Sequence, residues 1–232
     1  MARWVLVTGA TGLVGNNVVR ALIERGDRVR AMVRHTSDPR PLAGLDVQTV
    51  PGDVRDAESV RRACEGADCL VHAAAYVQLG RSMFDLHRAV NVQGTQNAAR
   101  AARAAGIRMV HVSTVDALGF GSPDQPADEQ APPGPYVPCN YVLTKRQAEQ
   151  AVLEEARRGL DAVIVNPGFM LGPWDWKPSS GRMLLAVAAG GALLAPRGWY
   201  TVCDARDVAD GILRALQCGQ TAQRYILGGV NM

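Results

Sequence analysis

The stretch "RWVLVTGATGLVGNNVV", residues 3–19, decides the fold, because an apolar, β-branched run leads directly into closely spaced glycines. The run before the glycines is typical of a buried strand, and the residues after them have the periodicity of an amphipathic helix. Gly9, Gly12 and Gly15 have the spacing G-x-x-G-x-x-G. In this context the loop lets backbone N–H groups and a helix N-terminus face a pyrophosphate, whereas the alternative is an ordinary tight turn. The stretch predicts a dinucleotide-binding unit.

Strand-like and helical patterns alternate along the rest of the chain. Strands are predicted at 3–9, 28–34, 46–52, 69–75, 108–114 and 161–168, with helices at 13–25, 56–65, 82–105 and 140–158. This order implies an α/β fold with a doubly wound parallel sheet and right-handed crossovers. After residue 168 the alternation loosens into a helix near 181–190, a short strand, a helix at about 205–217 and a last strand at "RYILGG".

Composition excludes several classes of function. The 232 residues include 25 basic and 22 acidic ones, and a net charge of +3 with scattered arginines gives no reason to expect a nucleic-acid partner. The five cysteines form no C-x-x-C pair, which favours reduced thiols in a cytoplasmic protein over a disulfide framework. The N-terminus lacks the pattern of a signal peptide, and no segment has the ~20 apolar residues of a membrane span. We therefore expect a cytoplasmic protein without a membrane span.

The end of the second predicted strand indicates which dinucleotide is bound. An acidic residue about 20 positions beyond the glycines takes the ribose hydroxyls of NAD, whereas an arginine accommodates the 2′-phosphate of NADP. Arg34 lies 19 positions after Gly15, no acidic residue follows until Asp38, and Arg40 offers a second positive charge. NADP is therefore favoured over NAD, although arginine is also the common cation of this chain. Asp53, after the third strand, is a candidate for the adenine amino group or for capping the next helix.

Hydroxyl, phenol and amine groups are predicted to converge at the carboxyl edge of the sheet. Ser113 and Thr114 end the fifth strand, and Tyr141 and Lys145 are four residues apart, so they share one face of the next helix. Hydride transfer to or from carbon needs a group that exchanges a proton with the oxygen. A phenol, with an unperturbed pKa of about 10, needs a nearby positive charge to act as a base near neutrality. The pair therefore predicts a catalytic site.

Seven motifs occur in an order that resembles one known family. They are "TGATGLVG", "GDVRD", "HAAA", "NVQGTQN", "VSTVDALG", "YVLTK" and "NPGFMLGP". The chain resembles the extended short-chain dehydrogenases/reductases, the NAD(P)-dependent epimerase/dehydratase family, and is most similar to the branch of dihydroflavonol 4-reductase-like proteins and hopanoid-associated sugar epimerases. The resemblance implies a Rossmann-type NAD(P)-binding domain at 1–168 and a small C-terminal substrate lobe at 169–232 that is interleaved with the last Rossmann helix and strand. Family members continue well past "YILGG", so we expect this lobe to be partial.

The resemblance also assigns roles to residues. It implies that Tyr141 is the general acid/base, that Lys145 binds the nicotinamide ribose and lowers the tyrosine pKa, and that Thr114 holds the substrate oxygen, with Ser113 as the alternate. Asn91 would brace the sheet edge. The implied cofactor contacts are Gly9, Thr11, Gly12, Leu13, Val14, Gly15, Arg34, Asp53, Val54, Ala73, Ala74, Ser113, Tyr141, Lys145, Pro167 and Gly168.

Other polar and aromatic residues have plainer interpretations. His72 has no partner at metal-binding spacing and is expected to be a packing residue, so no metal site is predicted. Trp174 and Trp176 either line the substrate pocket or anchor a loop by packing.

The expected function is an NADP- or NAD-dependent oxidoreductase that transfers a hydride between nicotinamide and the carbon of a carbonyl or secondary alcohol. The motifs leave open whether the net reaction is ketone reduction or the epimerisation of a nucleotide sugar. A non-catalytic, nucleotide-sensing protein is the alternative, but such proteins tend to lose the tyrosine or lysine, which this chain keeps. A homodimer is expected through the helices at 82–105 and 140–158, because the alanine-rich run 98–105 permits close helix approach.

Overall fold

Seven parallel strands form the central sheet of the chain. The computed structural model describes residues 2–78, 80–122, 124–134, 138–178, 180–191 and 198–232. With strands numbered along the chain, the sheet contains β1 (Trp4–Thr8), β2 (Arg28–Val33), β3 (Val47–Pro51), β4 (Cys69–His72), β5 (Arg108–Val112), β6 (Ala162–Pro167) and β9 (Arg224–Leu227). Their order is β3-β2-β1-β4-β5-β6-β9, and every neighbouring pair is parallel. The predicted α/β fold with a doubly wound, Rossmann-type sheet is confirmed.

Helices cover both faces of this sheet. Their bounds are α1 (Leu13–Glu24), α2 (Ala57–Cys64), α3 (Phe84–His87), α4 (Gly94–Ala105), α5 (Asn140–Arg157), α6 (Gly181–Ala188) and α7 (Ala205–Cys218). The alternation of buried side chains along β1 separates two cores: Val5 and Val7 pack with α1 and α7, whereas Leu6 packs with α2 and α4. Burial on both faces is the reason that the inner strands β1, β4, β5 and β6 are almost continuously apolar in sequence. None of the helices in the described part of the chain is both long and apolar enough to cross a membrane.

The predicted helix at 82–105 is less regular than its sequence indicates. It begins with the single turn α3, continues as a π-helical segment at Arg88–Gln93, and becomes the regular helix α4 at Gly94. Gly94 is required at that junction, because a Cβ there would lie 2.7 Å from Cγ2 of Val54. The π-helical segment carries Asn91, and such segments are frequent at functional sites.

A second, three-stranded sheet lies after β6. In it β7 (Phe169–Leu171) pairs in parallel with β8 (Thr201–Asp204), and β8 pairs antiparallel with β10 (Val230–Asn231). The sequence predicts only the middle strand of this sheet. The segment after β6 approaches β8 so closely that a Cβ on Gly168 would lie 2.5 Å from the carbonyl oxygen of Thr201. The domain boundary at residue 168 stays a prediction.

Candidate active site

A cleft of about 370 Å³ opens at the carboxyl ends of the strands around β1. It lies where the chain changes from one face of the sheet to the other, because β1 leads into α1 and the neighbouring β4 leads to α4 on the opposite face. Its lining includes Thr8, Gly9, Thr11, Gly12, Met32, Arg34, Ser37, Gly52, Asp53, Val54, Arg55, Ala73, Ala74, Ala75, Tyr76, Leu86, Val90 and Lys177. Eight of the predicted cofactor contacts therefore share one cleft: Gly9, Thr11, Gly12, Arg34, Asp53, Val54, Ala73 and Ala74.

The glycine loop is packed too tightly for side chains. Gly9 has a φ of +72°, and a Cβ there would lie 2.7 Å from the backbone of Ala73 and Ala74. Gly12 precedes α1 without any side-chain cap, so the N–H groups at the start of this helix, from Leu13 and Val14 onward, are not capped by a side chain. Gly15 is buried where a Cβ would meet the carbonyl oxygen of Gly9. A bound phosphate would therefore meet backbone donors and a helix N-terminus.

Carboxylates at the β2 and β3 end of the cleft are already paired with arginines. The guanidinium of Arg40 donates to Asp38, with an ion-pair distance of 2.7 Å, and that of Arg55 donates to Asp53, with 2.6 Å. These hydrogen bonds lower the pKa of Asp38 to about 2, with a smaller contribution from the charge of Lys177, and they also lower the pKa of Asp53. Arg40 is thus neutralised by Asp38 and supplies no second free positive charge, contrary to the expectation from sequence.

Arg34 differs from these arginines, because its guanidinium has no hydrogen-bonding partner within the described ranges. The side chain is exposed at the rim of the cleft, and the backbone N–H of Arg34 donates to Oγ of Ser37 over 3.2 Å. The helix after β3 is capped by Asp56, whose carboxylate accepts from the N–H of Glu58, so Asp53 is not needed as the cap.

Tyr141 and Thr114 meet at the end of β5. The Thr114 side chain lies close enough to the Tyr141 hydroxyl to lower its pKa, and Thr114 Oγ1 donates to Oδ2 of Asp116 over 3.1 Å. Burial raises the pKa of Tyr141, and the negative charge of Asp116 raises it further. The expected lowering of this pKa by Lys145 is therefore not found in this arrangement.

Lys145 is held beneath the site, one helical turn after Tyr141. It is only 2% exposed, and its Nζ donates to the carbonyl oxygen of Val112 over 2.7 Å and lies 3.5 Å from Nε2 of His111. Burial lowers the pKa of Lys145 to about 8, against the opposing influence of Glu149. The ammonium is directed at β5, which explains why it does not set the pKa of Tyr141.

Two buried histidines pack behind Lys145. His72 stacks on His111 with ring centroids 5.5 Å apart, and its two ring nitrogens contact Oγ1 of Thr8 at 2.8 Å and Oγ1 of Thr95 at 3.1 Å. Burial and the charge of Lys145 lower the pKa of His72 to about 3 and that of His111 well below its ordinary value. Both rings are therefore neutral near pH 7, and His72 has the packing role expected from the sequence.

Ser113 is directed away from Tyr141. Its hydroxyl donates to Oε1 of Glu149 over 2.5 Å, and the same carboxylate accepts from Nδ2 of Asn166 and from Nε of Arg224, each over 2.7 Å. Of the two hydroxyls at the end of β5, Thr114 is thus the one that reaches the tyrosine. Sequence reasoning missed Glu149, although its position four residues after Lys145 on the same helix face was a usable signal.

The remaining predicted residues lie around this centre. Nδ2 of Asn91 donates to the carbonyl oxygen of Tyr76 and to Oγ1 of Thr144, so it braces the chain after β4 as expected. Pro167 and Gly168 end β6, where the N–H of Gly168 donates to the carbonyl oxygen of Leu227 over 3.1 Å. Gly168 lies against Thr201 of the second sheet, and neither residue is part of the cleft lining described above.

Residues 5–228 match the model of the NAD dependent epimerase/dehydratase family. The chain belongs to this family. The epimerase/dehydratase family assignment agrees with the resemblance to extended short-chain dehydrogenases/reductases, and it makes the chain a member of an NAD-dependent oxidoreductase family.

Two curated relatives and one solved structure illustrate the range of this epimerase/dehydratase family. The chain is 42% identical to sterol demethylase protein B of Methylococcus capsulatus and 40% identical to a putative dihydroflavonol 4-reductase of Synechocystis. These matches cover 97% and 100% of the chain and 69% of each relative. The structure of a UDP-glucose 4-epimerase from Thermus thermophilus in complex with NAD is 26% identical, with a TM-score of 0.84 over 99% of this chain and 79% of the other.

Proposed function

We propose that the chain is an NADP-dependent reductase in which Tyr141 gives a proton to a carbonyl oxygen while hydride arrives at the carbon. The observation that carries this proposal is the approach of the Thr114 side chain to the Tyr141 hydroxyl at the carboxyl edge of the sheet, with Lys145 buried one turn below. A bound nicotinamide would supply the hydride. The glycine loop fits such a cofactor, because Gly9 and Gly15 leave no space for a Cβ and the start of α1 is uncapped.

The raised pKa of Tyr141 favours reduction over oxidation. A half-buried phenol beside the Asp116 carboxylate has a raised pKa and stays protonated near neutrality, so it is ready to act as an acid. Thr114 would hold the same carbonyl oxygen and stabilise the negative charge that develops on it. Epimerisation also needs an oxidative half-reaction with Tyr141 as the base, which requires a lower pKa. The positive charge of an oxidised nicotinamide would act in that direction, so epimerisation stays the second candidate.

Lys145 would bind the nicotinamide ribose and fix the cofactor beneath the tyrosine. Its ammonium is the only charged side chain of the Tyr141, Thr114 and Lys145 set, and it keeps its charge below a pKa of about 8. Ser113 would contribute indirectly, because its hydrogen bond to Glu149 holds α5 against the end of β5. The contacts of Pro167 and Gly168 with nicotinamide stay predictions from the family resemblance.

A ketone on an apolar molecule is the substrate class that we propose. The two curated relatives have names that refer to a sterol and to a dihydroflavonol, both of which carry fused or linked rings with little charge. The segment after β6 also exposes large apolar side chains, including Trp174, Trp176 and four apolar residues of α6. A nucleotide sugar, as in the name of the Thermus thermophilus enzyme, is the alternative.

The test is a substrate screen of the purified chain. Sterol-type ketones, dihydroflavonols and nucleotide sugars would be incubated with reduced NADP or reduced NAD, and loss of nicotinamide absorbance would be followed. We expect oxidation of reduced NADP with a ring ketone, and a decrease of about 10²-fold or more in Tyr141→Phe with little change in NADP affinity. Turnover by Tyr141→Phe at the parent rate would refute the role of Tyr141. Tight NADP binding without turnover of any compound would favour the nucleotide-sensing alternative.

A further inference from the structure

Lys177 lies in the cofactor cleft although it belongs to the loop that follows β7. It is one of two lysines in the chain, the other being Lys145. Its side chain lines the same cleft as Arg34 and Ser37, and its charge acts on the carboxylate of Asp38 just beyond Ser37. The Lys177 ammonium is therefore on the β2 side of the cleft, where the adenosine ribose of a dinucleotide lies in this architecture.

The loop that carries Lys177 is anchored on the helix after the glycines. We call residues 172–177 the tryptophan loop. Nδ2 of Asn17 donates to the carbonyl oxygen of Pro173 over 3.0 Å, and the guanidinium of Arg20 lies 3.5 Å from the ring centroid of Trp174. Trp174 in turn stacks on Trp176 with centroids 6.4 Å apart. Because α1 carries both the glycine loop and these anchors, the position of Lys177 is set relative to the cofactor cleft.

The charges at this end of the cleft are unbalanced. Asp38 and Asp53 are each neutralised by an arginine, Arg40 and Arg55 respectively. The guanidinium of Arg34 and the ammonium of Lys177 form no hydrogen bond or ion pair of their own within the described residues; they act on Asp53 and Asp38 only through their charge. Two free cations beside two satisfied carboxylates suit a dianion better than a neutral ribose diol.

We infer that Lys177 and Arg34 together bind the 2′-phosphate of NADP, so that this phosphate ties the tryptophan loop to the cofactor. The inference rests on the proposed NADP-dependent function and adds a residue that lies far outside the glycine loop and the β2 end in sequence. NAD lacks the phosphate and would leave Lys177 without a partner. NADP would therefore hold the already anchored tryptophan loop more tightly against the cleft, whereas NAD would not.

Calorimetric titration at low ionic strength tests the binding role. The ligands are NADP, NAD, adenosine 2′,5′-bisphosphate and adenosine 5′-monophosphate, and the proteins are the parent, Lys177→Met, Lys177→Arg and the control Arg214→Met. Arg214 is an exposed cation of α7 that does not line the cleft. The control therefore changes the net charge by the same amount as Lys177→Met, but outside the cleft. We expect Lys177→Met to weaken NADP and the bisphosphate by about tenfold, and the two ligands without a 2′-phosphate by less than about twofold. Lys177→Arg should keep most of the affinity.

Hydrogen exchange tests the link to the loop. Adenosine 2′,5′-bisphosphate should slow amide exchange in residues 172–177 of the parent protein, adenosine 5′-monophosphate should not, and Lys177→Met should lose the effect. Equal weakening of NAD and NADP in Lys177→Met, or NADP binding as tight as in the parent, would overturn the inference while leaving the proposed function intact. Failure of the parent to bind any dinucleotide would instead refute the proposed function.

Discussion

At the scale of single residues, the chemistry of the site depends on how burial changes the pKa values of Tyr141 and Lys145. Burial removes water from both groups, and it therefore favours the neutral phenol and the neutral amine. The sequence predicts that the two residues share a helix face, but not that the ammonium turns toward Val112 and His111 rather than toward the phenol. The direction of the ammonium depends on β5, which is distant from Lys145 in sequence. The effect of Asp116 on the pKa of Tyr141 likewise depends on a contact between residues that are distant in sequence.

The pKa of Lys145 predicts how cofactor binding depends on pH. Its value of about 8 lies below the ordinary lysine value of 10.5, so the ammonium loses its proton as the pH rises through about 8. Affinity for NADP should therefore fall between about pH 7 and 9 as the ribose loses a charged donor. Fluorescence titration with NADP at a series of pH values across this range measures the change in affinity. Lys145→Met should bind more weakly at pH 7 and show no such step; a step that persists in this variant would assign the titration to another group.

At the scale of elements, the junction between β1 and α1 depends on glycine for two separate reasons. Gly9 has a left-handed backbone, and it also lies against the backbone of Ala73 and Ala74. Gly44 also has a left-handed backbone, with a φ of +75°, but no atom lies within 4 Å of the position that a Cβ would occupy there. Comparing alanine substitutions at Gly9 and Gly44 therefore distinguishes the cost of backbone strain from the cost of close packing.

Gly9→Ala should destabilise the protein much more than Gly44→Ala does. Left-handed strain alone costs about 1–2 kcal/mol for a residue with a Cβ, and Gly44→Ala should lose no more than that. Gly9→Ala adds a collision with rigid backbone, so we expect a further loss of about 2 kcal/mol and much weaker NADP binding. Urea denaturation and calorimetric titration of the two variants give the comparison. Similar unfolding free energies for both would show that the packing against Ala73 and Ala74 can relax.

Sequence patterns predict the regular elements well and the irregular ones poorly. The strands of the central sheet and helices α1, α2, α5 and α7 follow from periodicity, because each buries its own apolar face. The π-helical segment before α4 does not follow from periodicity, because it positions Asn91 for hydrogen bonds with Tyr76 and Thr144, which are distant in sequence. Strands β7 and β10 have three and two residues, and they form only because β8 lies between them.

At the scale of the whole molecule, assembly is still a proposal. Most of the alanine run that predicts a dimer cannot contact a second subunit, because Ala98, Ala99, Ala101 and Ala102 are buried in the core of the protomer itself. Glu155 of α5 is buried and pairs with Arg103 of α4 at 2.7 Å and with Arg158 at 2.9 Å, so the two helices form one surface. The outward residues of that surface are mostly polar.

We propose a two-fold dimer through the outward faces of α4 and α5. Gln150 is exposed on α5, and a two-fold axis through this surface would bring the same residues of both protomers close together. Gln150→Arg should therefore reduce the molar mass measured by light scattering from dimer to monomer, whereas Arg214→Met on α7 should leave it unchanged. A monomeric mass for the parent at micromolar concentration would rule out the proposal.

The last strand of the central sheet contributes to the stability of the catalytic helix. Arg224 of β9 donates to the buried carboxylate of Glu149, which also holds Ser113 and Asn166. Arg224→Met would leave a buried charge without its cationic partner, and we expect a loss of about 3 kcal/mol in unfolding free energy. The control Arg206→Met removes an exposed partner of Asp204 and should cost less than about 1 kcal/mol. Equal losses in thermal or urea unfolding would contradict this account.

The same ion pair has a consequence for how the protein matures on the ribosome. The glycine loop, Tyr141 and Lys145 all emerge from the exit tunnel long before Arg224 does, and until then Glu149 has no cation to meet in the space that β9 will fill. During synthesis, the buried charge of Glu149 on α5 therefore gains this partner only after β9 has been translated.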